Sequence, residues 1–139
     1  MSTQSPNEYL LLFRGTEWHK GLSPEELQKA MTQFKGWFDR LTEEGKMKGA
    51  NPLMREGKFV SGKQGRVVAD GPFAESKEAI GGYFLLEAQS LDEAVAIAKG
   101  CPTLEFGTVV EVRPVAEMCP LMESMQQNLA AEELAHAGA

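Results

Sequence analysis

Five consecutive apolar side chains, Tyr9, Leu10, Leu11, Leu12 and Phe13, fill the run EYLLLFR at residues 8–14. A strand sends alternate side chains to opposite faces, so Tyr9, Leu11 and Phe13 share one face and Leu10 and Leu12 the other. Such a strand belongs in the middle of a sheet covered on both sides. One cover can be helical, and a second apolar layer has to close the other face.

The helical cover is well marked. After a turn-like stretch at 15–22, Ser23 can cap a helix, Pro24 suits its first position, and Glu26 completes a capping box. Leu27, Ala30, Met31, Phe34, Phe38 and Leu41 then recur at three- and four-residue spacing until Gly45, which places them on one stripe facing a sheet. Trp37 falls off that stripe, at its border or under a later helix. The glycines and lysines of 46–65 read as irregular structure with short edge strands around Leu53 and Phe59. Residues 66–70 read as a strand ending at Gly71-Pro72, 74–78 as a polar turn, and 80–88 as a buried strand entered through Gly81 and Gly82, where a bulge or a close backbone approach is expected. Ser90 and Glu93 form a second capping box, with Leu91, Ala94, Val95 and Ala98 on one face and Gly100 and Pro102 as terminators. Residues 108–115 close the domain as a strand on which Val109, Glu111 and Arg113 point the same way. Residues 1–7 read as a flexible N-terminus, 8–116 as the domain, and 117–139 as an appended helix with Leu121, Met122, Met125 and Leu129 at helical spacing.

Strand, helix, two or three strands, helix, strand is the pattern of an α+β, ferredoxin-like βαββαβ sheet with helices on one face. The second face is expected to be buried by pairing two sheets in a two-fold homodimer, since Val109 with partners from Tyr9 and Phe13 would otherwise form an exposed apolar patch.

Composition narrows the function. A chain of 139 residues fits one domain, and its net charge of -6 argues against a main role in binding nucleic acid, which takes clustered cations. Lys46, Lys48, Lys58 and Lys63 are scattered among glycines and read as solvated. Neither a secretory signal nor a membrane-spanning apolar run is evident. Cys101 and Cys119 each lie beside a proline, outside any closely spaced ligand cluster, which points to a reducing, cytoplasmic setting. With two separated histidines, His19 and His136, no metal or haem is expected. Met118, Met122 and Met125 read as packing residues, and Cys101 as a small buried one.

The segment Asp70-Gly71-Pro72-Phe73-Ala74-Glu75-Ser76-Lys77-Glu78, followed by Gly81-Gly82-Tyr83-Phe84, resembles the signature of the DGPF branch of the YCII-related family. Tyr9 to Leu12, Leu91 to Ala94, Cys101-Pro102 and Val112 to Val115 also fall where that family has similar residues, so the likeness spans about 8–115. It implies a dimeric α+β barrel, an architecture shared by cofactor-free oxygenases, isomerases, haem enzymes and proteins of no known activity. In the YCII-related family a His and an Asp have been suspected of catalysis. Asp70 is the corresponding aspartate, and no counterpart of the histidine is evident. Relatives of the DGPF type often accompany bacterial sigma factors of the extracytoplasmic-function class, which implies such a partner.

Candidate site residues follow. Asp70, at a strand end beside a Gly-Pro turn, can be aimed into a pocket as the catalytic carboxylate, or can serve as a turn residue bonding nearby amides. Glu75 and Lys77 can line the same mouth or stay solvated. Glu111 and Arg113 suit an ion pair in the barrel interior or at a dimer contact, joined by Arg66 from another strand. Trp18 and His19 sit in a loop, where an aromatic can lid a pocket and an imidazole can exchange protons. Two functions fit these residues: a small-molecule-binding homodimer that is a metal-free enzyme using acid–base chemistry near Asp70, or a non-enzymatic regulatory or interaction protein that docks through its C-terminal helix.

Overall fold

The structure is a computed structural model and describes residues 7–71 and 79–137, the side chains of 136 and 137 excepted. Strand β1 (Glu8–Arg14) is followed by helix α1 (Pro24–Glu43), strand β2 (Met47–Pro52), a hairpin of β3 (Lys58–Ser61) and β4 (Val67–Asp70), strand β5 (Ile80–Glu87), helix α2 (Leu91–Ala98), strand β6 (Val109–Pro114) and helix α3 (Pro120–Ala137). Strands β2, β5, β1 and β6 lie in that order in one antiparallel sheet. With the hairpin set aside, the order is the βαββαβ of a ferredoxin-like α+β fold.

The two caps explain where the helices begin. Ser23 Oγ accepts from the Glu26 amide at 3.1 Å, while the Ser23 amide donates to Glu26 Oε1 at 2.9 Å. Hydrogen bonding to the carboxyl from the Ser23 amide first, and from the Ser23 side chain second, holds Glu26 below the ordinary carboxylate range. At the second cap Ser90 Oγ accepts from the Glu93 amide at 3.1 Å, but Glu93 Oε1 turns one residue further back and accepts from Gln89. The expected second box is thus half formed.

Both helices pack on the face of Tyr9, Leu11 and Phe13. Register places Leu11 opposite Phe84 on one side and Val112 on the other, so these rows share a layer. Leu11, Trp37, Leu41, Phe84, Leu86, Ala98 and Cys101 form the main core. Trp37, expected off the stripe, is 4% exposed, and Met31, expected on it, is 49% exposed. The helix is rotated because α1 packs against the turn at Pro102–Phe106 as well as the sheet, and Trp37 lies over Gly100, where a Cβ would come within 3.1 Å of Nε1. In α2 the inward residues are Ala94, Ile97 and Ala98, whereas Leu91 and Val95 are exposed. Cys101 is buried, its Sγ 3.2 Å from Thr103 Oγ1, and burial pushes its thiol up, which disfavours the thiolate.

Among the described residues the other sheet face has no helix on it. Leu10 and Leu12 of β1 alternate with Tyr83 and Leu85 of β5 there, all half-buried. Tyr9 and Phe13 do not contribute, because they face the helices, and exposed Val109 stands at the β6 edge opposite Arg14. Ion pairs flank the apolar strip. Arg14 meets Glu111 at 2.6 Å with Arg113 at 3.7 Å from the same carboxylate, and Lys48 bridges Glu8 at 2.9 Å and Glu87 at 3.7 Å. Glu8 and Glu87 are direct cross-strand partners, so Lys48 relieves a like-charge pair, and the Glu8 bond raises its pKa.

Helix α3 stands apart: every described side chain from Pro120 to Ala135 is exposed. Deleting residues 119–139 is therefore expected to change the unfolding free energy of dilute protein by only about 0.5 kcal/mol. Urea unfolding followed by circular dichroism checks this, and loss of a cooperative transition would place the helix in the core.

Candidate functional site

The bulge in β5 opens the site. Phe13 pairs with Gly82 and Arg14 with Ile80, so the register slips past Gly81. Gly82 is required by close approach, since a Cβ there would lie 3.0 Å from the Asn51 carbonyl oxygen and 3.2 Å from Pro52 Cα. At this end of the sheet a cavity of about 560 Å³ lies between the strands and α1.

Its wall is aromatic. Phe13, Phe34, Phe38 and Phe84 line it, with ring centroids 5.7 Å apart for Phe13 and Phe34 and 4.8 Å apart for Phe13 and Phe84. Trp18 and His19 also line it. Trp18 stacks on Phe106 at 5.9 Å and meets His19 edge-on. Their loop is tied to the sheet by the Gly15 amide donating to the Ala79 carbonyl, and it closes on itself by the Leu22 amide donating to the His19 carbonyl.

Polar groups are few. Arg55 lines the cavity and lies 3.7 Å from Glu17 Oε2, while Glu17 Oε1 pairs with Lys20 at 3.1 Å. Thr108 also lines it, is 6% exposed, and its Oγ1 has no hydrogen-bond partner among the described residues. A buried hydroxyl left unpaired is costly, which suits it to meet a polar atom entering the cavity. Asn51 Nδ2 donates to the Tyr83 hydroxyl at 2.9 Å across the β2–β5 pair, on the opposite side of the sheet from α1.

The structure brings Trp18 and His19 together and leaves Asp70, Arg66, Glu111 and Arg113 off the cavity lining. Asp70 does not line the cavity: its side chain is 79% exposed at the end of β4 and pairs with Lys58 across the hairpin. The expectation that the Gly-Pro turn would aim it into a pocket assumed that β4 joins the main sheet, whereas it pairs with β3 alone. Arg66 is exposed in the hairpin turn, where Nη2 donates to Gln64 Oε1 at 3.3 Å, and it does not join the Glu111–Arg113 pair. Glu111 and Arg113 do pair, with Arg14 as the nearer cation, on the helix-free face. Glu75 and Lys77 lie outside the described residues. Phe34 and Phe38 read as core in the sequence yet wall the cavity, and Arg55 and Thr108 carry no local signal that would single them out.

Among the described residues no group of three or more His, Cys, Asp or Glu is placed to hold a metal, and no helix is long and apolar enough to cross a membrane.

An uncharacterized protein of Rhizobium meliloti (strain 1021) is 45% identical over 51 residues, 36% of this chain and 41% of that protein. The chain thus spans about two-fifths of the length of that curated relative. The 5-chloro-2-hydroxyhydroquinone dehydrochlorinase of Burkholderia phenoliruptrix, solved with 2,5-dihydroxybenzoquinone, overlaps at a TM-score of 0.45 with 16% identity, over 80% of this chain and 95% of that one. An Arabidopsis thaliana protein overlaps at 0.33 with 16% identity, over 81% and 97%. At these scores neither overlap bears on activity. The model of the YCII-related domain matches residues 7–119, which takes in all six strands and the first two helices, and the chain belongs to that family.

Proposed function

We propose that the chain is a homodimer that binds a small planar aromatic molecule with a polar substituent in the cavity between α1 and the sheet. The observation that carries this reading is the lining: rings on several elements form an apolar wall, and His19, Arg55 and Thr108 stand at separate polar points. Aromatic rings favour edge-to-face and offset contact with another ring, which gives a planar aromatic an advantage over a saturated ring of equal size. Arg55 favours an anionic or electron-rich substituent, its charge partly offset by Glu17. His19 is the lining group able to give or take a proton at a ligand atom, so acid–base chemistry in this reading belongs to His19 and not to Asp70. The homodimer reading is supported by the helix-free face, whose strip of Leu10, Leu12, Tyr83 and Leu85 is covered by no helix among the described residues.

A thermal-shift screen tests the ligand class, with benzoates, phenols and quinones set against saturated rings of matched size. A ligand at a hundredfold excess over its Kd stabilises the fold by about 2.7 kcal/mol, so aromatic members are expected to raise Tm by several degrees. His19→Ala should weaken binding by roughly three- to tenfold, the loss of one hydrogen bond. Equal shifts from saturated and aromatic rings, or an unaltered response in His19→Ala, would contradict the assignment.

A further inference from the structure

Two elements expose apolar side chains that no other described element of the chain covers. The β3–β4 hairpin pairs only with itself, and its cross-strand partners Val60 and Val68 are 66% and 60% exposed. A lone two-stranded hairpin is marginal in water, so a hairpin bearing such residues calls for a cover. Helix α3 exposes Leu121, Met122, Met125 and Leu129. At roughly 100° per residue these fall within about 100° of the helix circumference, one continuous stripe, with exposed Leu134 on the opposite side.

Charge makes the two elements complementary. Residues 58–70 carry Lys58, Lys63 and Arg66, with Asp70 as their one carboxylate, already paired with Lys58. Residues 117–137 carry Glu117, Glu123, Glu132 and Glu133 and neither Lys nor Arg. An apolar, basic hairpin and an apolar, acidic helix in one sequence suit each other.

The topology makes the partner a second copy. Helix α3 leaves the sheet beside Glu8, where the Val115 amide donates to the Glu8 carbonyl, at the β6 edge. The hairpin leaves at the far end of the strands, where the Leu53 amide donates to the Gly81 carbonyl, at the β2 edge. These are diagonal corners, separated by about 20 Å along β1 and about 14 Å across three strand spacings. A two-fold axis can satisfy both contacts at once, hairpin to helix and helix to hairpin.

We infer that α3 of one copy docks its Leu121–Leu129 stripe on the Val60–Val68 face of the partner's hairpin, reciprocally. This goes beyond the helix-free sheet face, which would leave hairpin and helix bare, and it is independent of the cavity.

The test is sedimentation equilibrium of full-length protein across a concentration series, with Val68→Asp, Leu129→Asp and their equimolar mixture. Both positions are exposed, so the fold is expected to persist. Each variant alone should raise the dimer dissociation constant by roughly tenfold or more. The mixture should recover affinity, because a heterodimer contains one intact hairpin and one intact helix facing each other. In a second pair, Lys63→Glu with Arg66→Glu should weaken association, and adding Glu132→Lys with Glu133→Lys should restore it. A dimer whose constant neither single variant changes overturns this docking while leaving the sheet-face dimer standing. That result would also free α3 for a foreign protein. Failure of the mixture to recover affinity overturns the reciprocal contact, and a monomer at every concentration overturns both interfaces.

Discussion

Trp37→Ala is expected to cost about 3–5 kcal/mol of stability, a large share of the roughly 5–15 kcal/mol that holds a domain folded. Trp37 is almost fully buried, with ring centroids 5.2 Å from Phe84, 5.5 Å from Phe34 and 6.1 Å from Phe13. It also lies over Gly100, so it joins α1 to the end of α2 as well as to the sheet. Removing it leaves a cavity bounded by several elements that cannot all collapse inward. Met31→Ala on the same helix is the comparison, because Met31 is half exposed, and its loss should stay below about 1 kcal/mol. Urea midpoints and slopes measure both. Similar losses for the two would mean that α1 presents the stripe expected from spacing and not the one seen.

Leu85→Asp is expected to convert a dimer into a soluble monomer. Leu85 sits opposite Leu10 in the helix-free strip, away from the core that faces α1 and α2. A carboxylate there would be solvated in the monomer and stripped of water in a face-to-face pair, at a cost of about 3–5 kcal/mol, or roughly two to four powers of ten in affinity. Wild-type protein at micromolar concentration should sediment at twice the 15.2 kDa chain mass, and Leu85→Asp at one chain mass with an unchanged circular dichroism spectrum. A wild-type monomer, or a variant still dimeric, would remove the sheet face as an interface.

The sequence makes the βαββαβ order readable because its strongest signals are local: Ser23 and Ser90 as caps, Gly45 and Gly100 as stops, and an unbroken apolar run at Tyr9–Phe13. The rotation of α1 was not readable. Its stripe depends on what lies beside the sheet, and the turn at Pro102–Phe106 and the bare Cα of Gly100 come from the far end of the chain. Trp18 and His19 were legible as loop residues able to lid a pocket, and both line the cavity. Asp70 lies off the cavity lining for a definite reason. A four-residue strand looks the same whether it joins a sheet or pairs only with a neighbouring strand, and β4 does the latter. Phe34 and Phe38 share their spacing with core residues, and the cavity they wall lies beside the slip past Gly81, which spacing along α1 does not reveal.

The central claim is that an aromatic ligand enters between α1 and the bulged end of β5. Backbone amide chemical-shift mapping of isotope-labelled protein, titrated with the strongest aromatic hit of the screen, reads this residue by residue. The largest shifts are expected at Gly15–His19, Asn51–Arg55, Gly81–Phe84 and Thr108, with residues of the hairpin around Asp70 unmoved. Saturating shifts centred on Asp70, or on Leu10, Leu12 and Leu85, with the cavity amides silent, would contradict it.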